Sequence, residues 1–341
     1  MKRLLSLVLY VTLIVALMIA ISTWRSFFSH VDIIEGGTEI YIPHGASYED
    51  VKDTLRNKHL LVNETAFDLL AKRKRYTENI KPGHYVVTDM MSYNDMMNLL
   101  RSGNQTPVRI TFNNIRTIPD LAGRLAGQIE IDSVSVVRFL LDKSNYDDDG
   151  FSPETVISVF IPDTYEVYWS VSARELYDKM LSEYNLFWNE SRRAKAIALG
   201  LTPVEVSTLA SIIDDEVNKP DEKPTIAGVY LNRLKLNMPL QACPTIKFAL
   251  NDFTIRRVLN VHLTVDSPYN TYKNTGLPPG PVRCPTKEGI EAVLVAEEHD
   301  YLFFVAKYDF SGYHHFSTTL KEHNSYANRY QQELDRRKIY N

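Results

Sequence analysis

Residues 202–217 read Thr-Pro-Val-Glu-Val-Ser-Thr-Leu-Ala-Ser-Ile-Ile-Asp-Asp-Glu-Val, a run with three consecutive acids just before its last residue. Thr202 suits a helix N-cap, Pro203 the first helical position and Glu205 the third, so the segment opens with a reciprocal cap. Val206, Leu209, Ala210 and Ile213 follow at helical spacing and predict one buried stripe. Glu216 lies three residues past Ile213 and seven past Leu209, on the same apolar face. Asp214 and Asp215 are rotated off that face by about 200° and 100°. Burial disfavours an ionised carboxylate, so an acid at the end of an apolar stripe keeps its proton to higher pH. That is the property a general acid needs near neutrality. The same three acids also fit a frayed, solvated helix end, and the helix by itself leaves both readings open.

The rest of the chain must bury that helix and bring partners to it. Its 341 residues suggest two or three domains, and 44% hydrophobic against 23% charged residues permits a packed core. The net charge is -4, so no basic excess points to nucleic acid. Twenty tyrosines offer flat, amphipathic rings that suit sugar faces as well as cores. The two cysteines, Cys243 and Cys284, show no metal-type spacing and are either an oxidised pair or two separate thiols. His314 and His323 lack the spacing of a zinc helix, so neither a metal nor a cofactor is expected.

Lys2 and Arg3 precede an apolar run over residues 4–21, long enough to just span a bilayer. The basic tip predicts a cytoplasmic N-terminus with the remainder outside, and Trp24 and Arg25 suit an interfacial anchor better than a cleavage site. Residues 1–22 are therefore expected as tip and transmembrane anchor, and 23–35 as a stalk. An internal echo follows: Ser47-Tyr-Glu-Asp-Val51 recurs as Ser92-Tyr-Asn-Asp-Met96, each copy after a strand-like run. Ser47 and Ser92 are candidate N-caps. Residues 36–104 are expected as a small α+β module that resembles LysM-like glycan-binding modules.

Residues 105–341 are expected as a larger α+β domain. Residues 108–112 alternate like a strand, 118–126 look helical, 160–165 read as an apolar strand and turn, and 173–199 as one long amphipathic helix. The acidic stretch 145–150 lacks the spacing of a calcium loop and reads as a polar turn. Beyond residue 235 the composition shifts to Pro/Gly-rich loops with many polar and aromatic groups, where binding groups usually sit. Residues 301–306 read as a buried strand that pairs with 313–317, and His323 and Asn324 open the last helix.

Seven ordered segments together resemble the endolytic murein transglycosylase (YceG-like, or MltG) family. They are 210–216 (Ala-Ser-Ile-Ile-Asp-Asp-Glu), 229–234 (Val-Tyr-Leu-Asn-Arg-Leu), 240–245 with its Pro-Thr pair, 269–272 (Tyr-Asn-Thr-Tyr), 276–280 (Gly-Leu-Pro-Pro-Gly), 301–306, and 314–324; Phe160 to Thr164 also fits. The resemblance implies a membrane-anchored bacterial enzyme at the cell (inner) membrane, its catalytic domain outside the cytoplasm. Its implied substrate is the glycan strand of peptidoglycan, and cell-wall synthases are implied partners. It implies Glu216 as the catalytic acid, with Asp214 standing where the family has a first glutamate. Cys243 stands where the family usually has an aspartate, and Cys284 also departs from the family; two such cysteines in two loops of the site suggest a disulfide, with two separate thiols as the open alternative. Gln241, Thr245, Tyr269, Asn270, Tyr272, His314 and Asn324 are candidates for holding sugar and acetamido groups, with Asp163 and Asp214 in support. A lytic transglycosylase needs one carboxyl group because the sugar's own hydroxyl attacks. A non-catalytic glycan-binding scaffold is the competing reading.

Overall fold

The computed structural model describes residues 2–28, 37–89 and 91–337. It is an α+β protein that divides into two compact units. The first comprises Met1–Ile110, Gly127–Ile131 and Tyr165–Ser172. Residues 105–110, 127–131 and 165–172, expected in the larger domain, fall in this unit. The Glu130 N–H donates to the Trp169 carbonyl at 3.0 Å, and the Trp169 ring meets Tyr41 edge-on at 5.2 Å.

Helix α1 (Lys2–Phe28) opens the chain. Its apolar stretch is Leu7–Ile19, and among the described residues no single helix is long and apolar enough to cross a membrane. Residues 23–28, expected in a stalk, continue α1, and residues 29–35 of that stalk lie outside the described residues. Strand β1 (Thr38–Ile42) leads into α2 (Tyr48–Asn57) and α3 (Glu64–Arg73). Strand β2 (Gly83–Val87) then pairs antiparallel with β1, Ile40 opposite Tyr85, and α4 (Tyr93–Ser102) follows. The sequence echo is a repeated cap. Ser47 and Ser92 each accept the N–H of Asp50 or Asp95, whose carboxylate accepts the serine N–H in return. Ile40, Leu55, Phe67, Tyr85, Met96 and Leu100 make the core of this unit, all fully buried.

Strand β3 (Val108–Phe112) pairs with β4 (Asp163–Val167) in a second two-stranded sheet. The strand expected from residue 160 begins only at Asp163. Phe160 and Ile161 end a short 3₁₀ turn and go into the core, and Pro162 has no N–H for a ladder.

The second unit comprises Thr111–Ala126, Asp132–Thr164 and Ala173–Asn341. It holds α5 (Ile118–Ala126) and α6 (Ser133–Leu141), followed by the acidic run Asp147–Asp149, a 3₁₀ turn closed by Gly150 at φ 79°. The one helix expected over 173–199 is two, α7 (Ala173–Phe187) and α8 (Glu190–Ala198). Asn189 breaks it: with extended backbone it caps α8 by accepting the Arg192 N–H at 3.0 Å.

Helix α9 (Pro203–Glu216) is the centre of this unit. The Thr202–Glu205 capping box forms as the sequence predicts. The helix is buried from Val206 to Asp214 on every face, not along one stripe. Helices α10 (Lys223–Lys235), α11 (Cys243–Ala249) and α12 (Lys287–Leu294) surround it. Its small polar residues bond inward: Ser211 Oγ donates to the Thr208 carbonyl and accepts the Val282 N–H. Strands β5 (Phe303–Ala306) and β6 (His314–Ser317) form an antiparallel hairpin with Phe304 opposite Phe316, and α13 (Leu320–Arg336) packs back on it. Strand β5, expected to be buried, is half-buried because its residues also form a cleft wall.

Candidate active site

The three acids that end α9 receive three different environments. Asp214 is buried, and its Oδ1 accepts from Lys223 Nζ at 2.7 Å and from Thr286 Oγ at 3.0 Å. Its Oδ2 accepts the Thr286 N–H at 2.8 Å, so this carboxylate ties α9 to the starts of α10 and α12. The approach to α12 is close: a Cβ on Gly289 would lie 2.5 Å from Asp214 Oδ1. Asp215 is gripped by two guanidiniums, Arg116 at 2.7 Å and Arg283 at 3.3 Å. Glu216 has no ion pair among the described residues; its Oε1 accepts a hydrogen bond from Tyr230 Oη at 3.3 Å.

Glu216 is therefore the acid left without a counter-charge. Burial pushes its carboxyl from 4.5 up to about 7, and the neighbouring Asp215 charge acts in the same direction. The Tyr230 hydroxyl, Lys247 and the Cys243 backbone N–H pull it part of the way back. Its place at the C-terminal end of a 14-residue helix, where the dipole disfavours negative charge, adds to the same outcome. Burial also raises Tyr230 well above the usual tyrosine range, so this hydroxyl remains a donor.

Glu216 lines an open cleft of about 430 Å³. Tyr230 and Arg233 reach it from one face of α10, Cys243 from the start of α11, Gln241 and Tyr272 from the loops, and residues of β5, β6 and α13 close the far side. Glu216 is the one carboxylate on the cleft wall among the described residues. Arg233 braces the wall: its Nε donates to the Leu302 carbonyl at 2.6 Å, and its Nη1 to the Leu240 carbonyl at 3.0 Å and Gln241 Oε1 at 3.3 Å. Gln241 is held at φ 53°, the left-handed region, with its N–H on the Thr271 carbonyl. A non-glycine residue there is held against its preference by the bonds around it. Burial and Arg233 pull the His323 imidazole below its usual range, so the ring is neutral at pH 7. His314 presents its Nδ1 to Glu222 Oε2 at 2.8 Å, behind the wall.

Of the residues singled out by sequence, the cleft wall brings together Glu216, Gln241, Tyr272, His314 and Asn324. It does not include Thr245, Tyr269 or Asn270. Thr245 is fully buried, donating to the Ala242 carbonyl and sharing a 2.8 Å bond with Thr271 Oγ. Asn270, also fully buried, donates to the Leu263 and Val265 carbonyls and accepts the Tyr272 N–H. Tyr269 packs its ring on Phe248 at 4.6 Å. Asp163 is ion-paired with Lys287. Of the two states left open for the cysteines, the structure has separate thiols. Both cysteines are free: Cys284 is buried with its N–H on the Ile115 carbonyl, while Cys243 Sγ lies 3.4 Å from Tyr272 Oη in the cleft.

Residues 40–329 match the YceG-like family. This chain belongs to the YceG-like family. Two similar proteins carry the name endolytic murein transglycosylase. That of Bacillus subtilis (strain 168) is 30% identical over 308 residues, covering 85% of this chain and 84% of the relative. That of Streptococcus pneumoniae (strain ATCC BAA-255 / R6) is 28% identical over 303 residues, covering 78% of this chain and 53% of the relative. The chain thus spans about half the length of its pneumococcal relatives. A 2.6 Å crystal structure of a putative yceG-like protein from Listeria monocytogenes superimposes with a TM-score of 0.56 at 28% identity, covering 86% of this chain and 99% of that one.

Within this YceG-like site, Tyr230, Arg233 and Thr271 carry contacts that residue patterning did not single out. Tyr230 and Arg233 stand three apart on α10, a spacing that puts both on one helix face. Thr271 lies between two residues that were singled out, and its Oγ accepts the Ala242 N–H at 3.1 Å. Glu222 offered no signal, being one acid in a charged turn.

Proposed function

We propose that the chain is an endolytic peptidoglycan transglycosylase that cuts between N-acetylmuramic acid and N-acetylglucosamine, with Glu216 as its sole proton carrier. The observation that carries this reading is the lone cleft carboxyl, poised near pH 7 and next to two acids already matched by cations. Protonated Glu216 donates to the bridging oxygen, and the N-acetylglucosamine part leaves as an alcohol. The resulting carboxylate takes the proton of the muramic C6 hydroxyl, whose oxygen bonds to C1 and closes a 1,6-anhydro ring. The acid ends protonated again, and no water enters. Hydrolases ordinarily place a second carboxyl across the cleft; this wall, in its described residues, offers none. Tyr230 steadies the carboxylate form between the two transfers.

Gln241, Tyr272, His314 and Asn324 hold the sugars, while Thr245, Asn270 and Tyr269 shape the loops that present them. Asp214 supports by fixing the end of α9, and Asp163 by its contact with Lys287 near the start of α12. The apolar stretch of α1 supports membrane anchoring in the bacterial cell membrane with the catalytic unit outside the cytoplasm. The first unit supports glycan retention in the manner of LysM-like modules, and cell-wall synthases are the natural partners. The test is digestion of purified glycan strands with product ends read by mass. Ends lighter by one water than reducing ends are expected with the wild type and not with Glu216→Gln. Reducing ends, or no cleavage at all, would overturn the reading; the second result would favour a binding scaffold.

A further inference from the structure

Glu222 is the other buried glutamate near the cleft, and the proposed proton transfers do not use it. It sits in the 3₁₀ turn Pro220–Glu222 between α9 and α10 and is 7% exposed. Both of its oxygens accept from one residue. Oε1 takes the His314 backbone N–H at 2.8 Å, and Oε2 faces His314 Nδ1 at 2.8 Å. The hairpin is further pinned to this turn by Tyr313 Oη, which donates to Asp221 at 3.2 Å. The Phe304 ring meets the imidazole at right angles, with centroids 5.4 Å apart, and limits its rotation.

Two acceptor oxygens facing two nitrogens decide where the ring proton goes. An ionised carboxylate only accepts, so Nδ1 must carry the hydrogen. In the neutral ring Nε2 is then a bare lone pair. His314 lines the cleft while its Nδ1 points behind the wall, and no hydrogen bond occupies Nε2 among the described residues. We propose that Glu222 is a positioning residue that locks His314 as the Nδ1–H tautomer, so that Nε2 stands in the cleft as an acceptor for a saccharide hydroxyl. This rests on the transglycosylase reading for its ligand but not for its tautomer.

The informative substitution is Glu222→Gln, which keeps the shape. Its one oxygen is claimed by the His314 backbone N–H, so its amide NH₂ faces Nδ1 and donates. The ring must then place its hydrogen on Nε2, turning the cleft-facing atom from acceptor to donor. Nitrogen NMR of the imidazoles at pH 8, with His314→Gln to assign the signal, reads this directly. The expected result is Nδ1–H in the wild type and Nε2–H in Glu222→Gln. A doubly protonated ring, or the same tautomer in both, would overturn the proposal.

The second arm measures binding of purified glycan oligosaccharides in a Glu216→Gln background, where cleavage plays no part. Adding Glu222→Gln should weaken binding about tenfold, because a hydroxyl that donates to Nε2 must then turn to accept from Nε2–H and give up the geometry and contacts of its first orientation. Unchanged binding by a chain whose tautomer has switched would overturn the acceptor role. If the chain with Glu216 intact shows the Nδ1–H ring and binds the strands but leaves no anhydro ends, the reaction above is refuted and the tautomer lock is upheld.

Discussion

Replacing Glu216 by Gln separates the proton-holding role of this residue from its shape. Glutamine stands in for the protonated acid at every pH and still accepts from Tyr230. Below pH 4.5 both the folded and the unfolded wild-type chain carry the proton, so wild type and variant should be equally stable. Between 4.5 and about 7 the unfolded chain loses its proton while the folded chain, its carboxyl raised by burial, keeps it. The unfolded state is then favoured as pH rises, and the wild type loses stability across this window. The interval from 4.5 to about 7, at about 1.36 kcal/mol per pH unit, comes to about 3 kcal/mol as an upper bound, which solvent in the open cleft reduces. For a unit of this size that is about 5–10 °C in Tm. Thermal unfolding of both proteins from pH 4 to pH 8 should therefore start together and separate, with the variant the more stable at pH 8. Activity should run the other way, falling by about 10²–10⁴-fold in the variant. Unfolding curves that stay superimposed across the whole range would refute the desolvated carboxyl, and with it the reason for assigning the acid to this residue.

Tyr230→Phe removes a hydrogen bond that favours the ionised form of Glu216, so the alkaline limb of the activity profile should move to higher pH; a shift to lower pH would contradict the assignment. Asp214→Asn leaves Lys223 buried beside a neutral partner and should cost about 3–5 kcal/mol, read as a lower urea midpoint. Asp163→Asn breaks an ion pair whose partners are both 45% exposed, and the same measurement should change by less than about 1 kcal/mol. Thiol titration without reductant should count one reactive thiol, Cys243, in the native protein and two after unfolding, because Cys284 is fully buried; matching mobilities with and without reductant complete the check.

Local chemistry was legible wherever a residue acts on its own neighbours. The caps at Ser47, Ser92 and Thr202 are written three residues ahead in Asp50, Asp95 and Glu205, and all three form. The helical projection put Glu216 with the apolar side chains, because 3.6 residues per turn is enough to place a side chain on a face. The break at Asn189 was less legible, since an asparagine within an amphipathic pattern becomes a cap only when Trp188 finds a place in the core.

Fold class, the capped helices and the order of the site segments are thus properties of the sequence by itself, since they depend on neighbours along the chain. The fates of Asp214, Asp215 and Glu216 were decided only by tertiary structure. Three adjacent acids have nearly the same local chemistry, and their difference comes from Lys223, Arg116 and Arg283, brought in from 9 to 99 positions away. The same holds for Thr245 and Asn270, whose polar groups turn into their own loops, and for Glu222, which finds His314 92 residues downstream. A charge's behaviour follows from what surrounds it in space, and that is settled when the helices close around α9.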